Sequence, residues 1–495
     1  MDVIGLGAFL YTDIFVREVV IWELGRTRDT DMATRSIRRY RFVSQDLEEL
    51  RKLGDFVSDP WGFQSRHGKL LNILNLKFDE GVLKTLVQFY NHHYHCFMFP
   101  DYLLLPTLEE YAHLVGLPVL DRVPFSGLEE VPKPLAIAKA LCLKITDITS
   151  NLTTKGREKI PGLTSGFLIG KANACIKARS FHAFESILAL LIYGLVLFPT
   201  YDGFVDANAI QIFLTKNPVP TLLDDTYHSI HHRNEQQDGL ILCCAPLLYK
   251  WYTLHLPRSY LTKDKGQYSE KIMSLATTDV VWYNPAYDTG TIIDSCGEFN
   301  NVPLLGIHGG ISYNLILVRR QFGYPLKNRP LSIHLENMYY HNQSDSKDMR
   351  NQIVRAWHTI HKKNSNQLGE KSSLTYETYT QWVIDEAARY QMPYPLPRYL
   401  PSTTTVLPLP LPPTTQEKYR ENMDDLHREC NVWKKKYEEE VAKVRERDME
   451  IALQNHALLR KEQKIIELNG VIQEKDALLN HDPARKKKQR VFRGV

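Results

Sequence analysis

Residues 186–199 read SILALLIYGLVLFP, the one run in the chain apolar enough to raise the question of a membrane. Between Glu185 and Pro199 lie thirteen residues, whereas a spanning helix needs about 20 apolar ones. The run is therefore expected to be a buried core helix, and the chain around it should supply the walls of that core. At 495 residues, 43% of them hydrophobic, it has the length for two or three domains and the apolar content to fill them.

Helical periodicity dominates from about residue 42 to 392. In PTLEEYAHLVGLP, Thr107 and Glu110 have the spacing of a capping box, in which each side chain satisfies the other residue's backbone N–H, and Gly116 with Pro118 stops the helix. DANAIQIFLTKN, ILCCAPLLYKWYTLHL and MRNQIVRAWHTIHKK read as further helices. In LTYETYTQWVIDEAARY, residues Tyr376, Tyr379, Val383, Ala387 and Tyr390 recur at three- and four-residue steps and predict the core-facing stripe. Between 279 and 305, Asn-Pro, Asp-Thr-Gly and Cys-Gly turns interrupt this period around short β-branched runs, so a small hairpin or irregular insert is expected there. Strands do not alternate with helices at the spacing of a parallel sheet. The expected class is mainly α: a multi-helix globular domain over 41–392 with a small irregular β insert.

The remaining segments differ in kind. Residues 1–40 read as an irregular extension ending in a basic patch, Arg35, Arg38, Arg39 and Arg41, a solvated lead-in or an arm that touches nucleic acid. Residues 393–415 form a proline-rich linker, with eight prolines among the twenty-one residues from Pro393 to Pro413, which favours an extended spacer. Over 416–480, Met423, Cys430, Tyr437, Val444, Ile451, Leu458, Ile465, Ile472 and Leu479 are apolar at seven-residue intervals. The companion position three residues on holds Leu426, Trp433 and Leu468 but also Glu440, Arg447, Gln454, Lys461 and Lys475, a half-filled seam. A repeat this long predicts a coiled coil, self-associating or with another chain. The tail, 481–495, carries Arg485, Lys486, Lys487, Lys488 and Arg490, the composition of a nuclear-import element or a nucleic-acid contact.

Balance and cysteine usage narrow the function classes. A net charge of +4 sets up no field over the whole protein for nucleic acid or membrane. Cys96, Cys142, Cys175, Cys243, Cys244, Cys296 and Cys430 form an odd, scattered set without a CxxC pair, which points to a reducing compartment rather than a disulfide framework or zinc ribbon. The first residues lack the basic n-region of a signal peptide, since Asp2 stands there and Asp13, Arg17 and Glu18 break the apolar patch. No secretion being expected, the sequons at Asn151 and Asn342 read as inert.

GxSxG, HExxH, GxxxxGK[ST] and a strand-borne GxGxxG do not occur. Histidines cluster at His92, His93 and His95 beside Cys96, and at His228, His231 and His232 ahead of Cys243 and Cys244. His228 and His232, four apart, would share a helix face and are the weak candidates for a metal, while packing is the commoner use of such residues. No metal site is expected. GIHGGISYNLILVRRQFGYP, residues 306–325, poses a sharper choice. Successive glycine N–H groups at a helix start could cradle a phosphate. The reading preferred is structural: Gly309 or Gly310 at positive φ turns the chain into a helix that buries Ile311, Leu315, Ile316 and Val318, with Arg319 and Arg320 near its end and Gly323 and Pro325 closing it.

The phrases FPDYLLLPTLEEYAHLVGLPVLD, FESILALLIYGLVLFP, DVVWYNPAYDTGTIIDSCGEF, PLLGIHGGISYN, RRQFGYP and TQWVIDEA, followed by PLPLPPTT and a charged heptad region, resemble a legume-rich plant protein family related to the plant mobile domain, also called aminotransferase-like. The resemblance spans roughly 40–480 and leaves the first forty residues outside. It implies a mainly helical domain found in transposable elements and in nuclear host proteins linked to transposon silencing, genome stability and developmental gene expression. It implies no aminotransferase activity, because no cofactor-binding lysine motif is present, and it carries over no catalytic residue and no cofactor. Two functions follow as expectations: a non-enzymatic interaction or scaffold protein, probing protein partners through its helical domain and nucleic acid through its basic termini, or a relic nucleic-acid-processing enzyme with an acidic metal site assembled in space. Residues 416–495 expressed alone should sediment as an oligomer at micromolar concentration; an unfolded monomer would remove the coiled coil.

Overall fold

The computed structural model describes residues 37–395 apart from 121–124, 258–259, 262–266, 283–290, 325, 327, 342–346, 370 and 372–375, together with 460–461, 463–465 and 467–475. The chain divides into two units, Met1–Leu400 and Pro401–Val495. In the second, the described residues are helical, and Ile465, Leu468 and Ile472 are exposed on the single chain. Met423, Cys430, Tyr437, Val444, Ile451, Leu458 and Leu479 lie outside the described residues, as do the linker beyond Pro395, the basic residues Arg485, Lys486, Lys487, Lys488 and Arg490, and Arg35.

The first unit is mostly helical, with short strands spread along it. These are β1 (Arg39–Phe42), β2 (Tyr90–Asn91), β3 (Cys96–Met98), β4 (Leu103–Leu104), β5 (Thr153–Lys155), β6 (Ile160–Thr164), β7 (Phe204–Asp206), β8 (Asp238–Ile241), β9 (Thr291–Cys296), β10 (Val302–Leu305), β11 (Gly309–Tyr313), β12 (Tyr339–His341) and β13 (Ile360–Asn364). They pair as β1-β8, β2-β3-β4, β5-β6-β7, β10-β11-β12 and β13-β9, and of these only β1-β8 is parallel. β structure is therefore not confined to the expected insert, because strands of two to five residues leave too little alternation in the sequence to be read. β13 also ends the helical reading of MRNQIVRAWHTIHKK. β1 crosses the expected boundary at residue 40: Arg39 and Arg41 face solvent while Tyr40 and Phe42 are buried, and Arg38 N–H donates to Gln88 Oε1 at 3.0 Å.

Among the described helices are α1 (Leu108–Val115), α2 (Phe181–Ile192), α3 (Val219–Gln236), α4 (Ala245–Leu254), α5 (Leu315–Gln321), α6 (Lys347–Trp357) and α7 (Glu377–Tyr390). The apolar run 186–199 begins inside α2, and from Ala183 to Ile192 every residue is buried. Each fully buried Leu or Ile there stabilises by about 1.5–3 kcal/mol. Glu185, the charge in this run, is met by Arg66 of the helix Pro60–His67. The last turn widens into a π-helix over Tyr193–Leu197, closed by Phe198 N–H donating to Tyr193 O at 2.8 Å. Gly194 sits there because a Cβ would lie 2.6 Å from the Val205 methyls of β7. No helix among the described residues is long and apolar enough to cross a membrane.

The capping box forms as spaced: Thr107 Oγ1 accepts from Glu110 N–H at 3.2 Å, Glu110 Oε2 accepts from Thr107 N–H at 3.1 Å, and Gly116 ends α1 at φ 71°. The Glu110 carboxyl, 1% exposed, reaches further than its own helix. It accepts from Trp251 Nε1 of α4 at 2.8 Å and from Gln321 Nε2 of α5 at 2.7 and 2.9 Å, and its Oε1 lies 3.1 Å from His255 Nε2 at the end of α4. Gln321 in turn bridges the Leu105 backbone with both ends of its amide. On α7, Tyr379, Val383 and Ala387 are buried as expected, but Tyr376 precedes the helix as an exposed N-cap, and Trp382 and Glu386 complete the stripe.

Glu110→Ala should lower unfolding free energy by on the order of 3–5 kcal/mol, because it strands the Trp251 and Gln321 donors in the core. Glu110→Gln, which keeps an acceptor oxygen, should lose clearly less, as read from urea unfolding midpoints at constant m-value.

Candidate functional site

The richest assembly of polar chemistry lies where α3 packs on the sheet β10-β11-β12. α3 begins at Pro218, with Pro220 in its first turn where the missing N–H costs no bond, and ends at Gln237 in the left-handed region. Leu222, Leu223, Tyr227 and Ile230 bury its apolar side, and the Tyr227 hydroxyl donates to Pro106 O at 2.7 Å. Asp224, Asp225, His228, His231 and His232 are carried on the same eighteen residues.

The first polar layer is the carboxyl pair. Asp225 Oδ1 accepts from Ile307 N–H at 3.0 Å and Asp224 Oδ1 from Ile311 N–H at 3.2 Å, so two successive residues of α3 grip the β10–β11 hairpin on either side of its turn. The turn closes with Gly306 N–H donating to Gly309 O at 3.1 Å. Its glycines are there for close approach rather than for positive φ, which neither Gly309 nor Gly310 adopts. A Cβ on Gly306 would collide with Asp224 Oδ2 and lie 2.5 Å from Asp225 Oδ1; on Gly309 it would lie 2.5 Å from His228 Nε2; on Gly310, 2.5 Å from the Tyr340 ring. The expected helix thus starts later, at Leu315 under an Asn314 cap, and Gly309–Tyr313 is a fully buried strand. Ile311 packs from that strand, and Ile316 is only half-buried. Gly323, at φ 85°, does follow the helix.

Burial pushes the Asp225 carboxyl up to about 7. It lifts Asp224 well above the usual carboxylate range, with the Asp225 charge adding to the rise and Arg350 opposing it. Asp224 Oδ2, wholly buried, meets no hydrogen-bond donor among the described residues.

One turn along α3 stands a layer of imidazoles. His228 Nε2 lies 3.2 Å from Tyr340 O, an acceptor, so this nitrogen carries the hydrogen, and His341 Nδ1 of β12 lies 3.4 Å from the same atom. His232 Nδ1 is 3.1 Å from the Tyr339 hydroxyl, and the His232 and His341 rings stack with centroids 4.4 Å apart and planes 10° apart. The Tyr339 ring also covers His231 at 3.9 Å. His308, at the hairpin turn, completes the group through its field on His228. Burial is the leading cause in every case: it pushes His228 down to about 3, His308 to about 4 and His231 to about 2, and lowers His232 and His341; neighbouring imidazoles add to each shift except that of His341, where Arg233 adds and Glu235 opposes.

His228 and His232 do share a helix face, as their spacing requires, but their rings are 14° from parallel with centroids 6.2 Å apart. Among the described residues no three His, Cys, Asp or Glu side chains are placed to hold a metal. The His92–His95 group is a turn: Asn91 Oδ1 accepts from His93 and Tyr94 N–H, and His95 Nδ1, 2.6 Å from Ser312 O, ties the turn to β11. Cys243 and Cys244 are buried, their thiols pushed up by desolvation, Cys244 to about 12. Arg319 and Arg320 leave the glycine turn altogether. Arg319 pairs with Asp294 at 2.6 Å, and Arg320 lies over the Trp282 ring at 4.2 Å.

The family model described as "Domain of unknown function (DUF7745)" matches residues 50–388. The chain belongs to this family. No curated protein and no solved structure matches it. The DUF7745 match contains α3, the glycine hairpin and both polar layers. His308 and His341 were not paired with α3 in the sequence, and the only signal for them was the glycine turn beside His308.

Gly306→Ala should destabilise by about 1–3 kcal/mol through overpacking against the two carboxyls. For Asp225, the raised folded value means that its proton stabilises the fold in acid. This contribution fades as pH rises from the unfolded value near 3.9 through about 7. Asp225→Asn keeps an acceptor for Ile307 without a charge, so it should gain on the native chain between pH 5 and pH 8 by an amount on the order of 2–3 kcal/mol. Chemical denaturation at the two pH values measures it, and an unchanged difference would mean the carboxyl is already solvated.

Proposed function

We propose that the chain is a non-enzymatic interaction protein of transposable-element ancestry that acts in the nucleus. On this reading the DUF7745 domain binds protein partners, the proline-rich segment spaces it from a coiled coil that oligomerises, and the basic termini direct nuclear import or touch nucleic acid. The kinship with plant mobile domain proteins in transposon silencing and gene regulation is part of the proposal and rests on the phrases quoted above.

The observation that carries the non-enzymatic half is the use made of Asp224 and Asp225. A relic nuclease or transposase would need paired carboxylates open to metal and substrate. Here the pair is buried, spent on the amides of Ile307 and Ile311, and backed by Gly306 with no room for a methyl group. Glu110 is likewise engaged by Trp251 and Gln321.

A fluorescent fusion of the full chain should accumulate in plant nuclei, and replacing Arg485, Lys486, Lys487, Lys488 and Arg490 by Ala should even out its distribution between nucleus and cytoplasm. Purification of the tagged chain from nuclei with and without nuclease tests the partner class. Protein partners retained after nuclease are expected, whereas loss of all partners would assign association to nucleic acid. Exclusion of the native fusion from nuclei would overturn the nuclear reading.

A further inference from the structure

We propose that the exposed connection between the helices Glu48–Gly54 and Pro60–His67 is a docking surface for a basic peptide segment of a partner protein, with Trp61 and Phe56 as anchors and Glu49, Asp55 and Asp59 as counter-charges. The inference rests on the reading of the DUF7745 domain as a partner-binding module, and it names the surface and the partner's chemistry. Leu50, Leu53 and Val57 turn one side of the first helix and its end into the core. Phe56 N–H donates to Leu53 O at 3.0 Å and Val57 N–H to Gly54 O at 3.2 Å, a tight turn that leaves the Phe56 ring 54% exposed. The second helix starts at Pro60 under an Asp59 cap, whose Oδ1 accepts from Gly62 N–H at 2.9 Å. Phe63 of this helix is buried, whereas Trp61, two residues back and so on the other side, is 81% exposed, the highest figure for a large apolar side chain among the described residues. Neither Phe56 nor Trp61 packs on the core. Single exposed apolar side chains are ordinary, but Phe56, Pro60 and Trp61 all face solvent within one short connection. Tryptophan, with the largest area to bury, is the side chain most often found anchoring an interface.

Charge selects the occupant. Between residues 46 and 59 the carboxylates of Asp46, Glu48, Glu49, Asp55 and Asp59 outnumber the cations Arg51 and Lys52. The nearby cations are already committed: Lys52 to Glu48 at 2.7 Å, Arg51 Nε to Leu74 O at 3.3 Å, and Arg66 to Glu185. Glu49 and Asp55, both exposed, make no side-chain hydrogen bond or ion pair among the described residues. A neutral apolar partner would cover these carboxylates without compensating them, at a cost in desolvation. A nucleic acid or an anionic membrane would bring phosphates against them. A Lys or Arg side chain suits both features, because its alkyl stem lies along an aromatic ring while its charged head reaches a carboxylate or the ring face.

Fluorescence anisotropy with the full chain tests this, using three labelled probes: a short peptide of alternating Arg and Leu, the same peptide with Glu in place of Arg, and a single-stranded oligonucleotide. The Arg–Leu peptide should bind the native chain, more weakly as salt is added, and Trp61→Ala should lower its affinity by about tenfold or more. Glu49→Gln with Asp55→Asn should lower it by about threefold to tenfold and flatten the salt dependence. All three positions are exposed, so the variants should melt with the native chain. Equal binding of the Arg–Leu peptide by the native chain and Trp61→Ala overturns the proposal, as does equal binding of the Glu–Leu peptide. Oligonucleotide binding that Trp61→Ala removes would also overturn it and assign the surface to nucleic acid. Failure here is distinguishable from failure of the interaction reading. An unchanged set of nuclease-resistant partners on the Trp61→Ala chain refutes this surface and leaves that reading standing, whereas loss of all partners from the native chain on nuclease treatment refutes the reading itself.

Discussion

One carboxyl group in the middle of an apolar core holds the larger unit in its arrangement. Glu110 first closes the N-terminus of its own helix, a local task, and then accepts hydrogen bonds from Trp251 and Gln321, which arrive on two other helices. A buried acceptor of this kind is costly unless its lone pairs are filled, so α1, α4 and α5 can dock in few ways that leave it satisfied. The apolar residues around it supply most of the stabilisation; the carboxyl selects which of the many greasy packings is adopted. Gln321 extends the constraint to the backbone of Leu105, and so fixes the strands β3 and β4 against the same helices.

The seam between α3 and the glycine hairpin repeats the device with a different outcome. Asp224 and Asp225 bind two backbone amides of the hairpin, and the glycines admit this contact by having no side chain. The pair has fewer donors than Glu110, with Asp224 Oδ2 unmatched among the described residues, so desolvation dominates and both carboxyls are driven toward the protonated form. The imidazoles next to them are driven toward the neutral form by the same burial. Acidic and basic side chains thus meet at this seam with most of their charge suppressed, which explains how so many ionisable groups coexist in a small volume.

Much of the local structure was legible. The capping box, the left-handed Gly116, the buried apolar helix and the stripe of Tyr379, Val383 and Ala387 all depend on residues within a few positions of one another, and each forms in the segment whose pattern predicts it. The glycine stretch was misread in its mechanism. The expectation is that Gly309 or Gly310 turns the backbone through positive φ, but both lie in a strand and are small because His228 and Tyr340 press on them. No inspection of GIHGGISYN alone could have distinguished a glycine needed for its own φ from one needed for a neighbour's bulk. The short strands were missed for a related reason, since two to five residues pair with partners that only the folded chain brings near.

What the sequence by itself determined, then, is the helical class of the larger unit, its core helix and its helix ends. These follow from hydrophobic period and capping chemistry, which act over a turn or two of chain. The tertiary structure alone decided that His228 meets His341 across 113 residues and that Glu110 meets Gln321 across 211. Such meetings leave no periodic trace, and their energetics come from burial, which belongs to the assembled core and to no single segment of it.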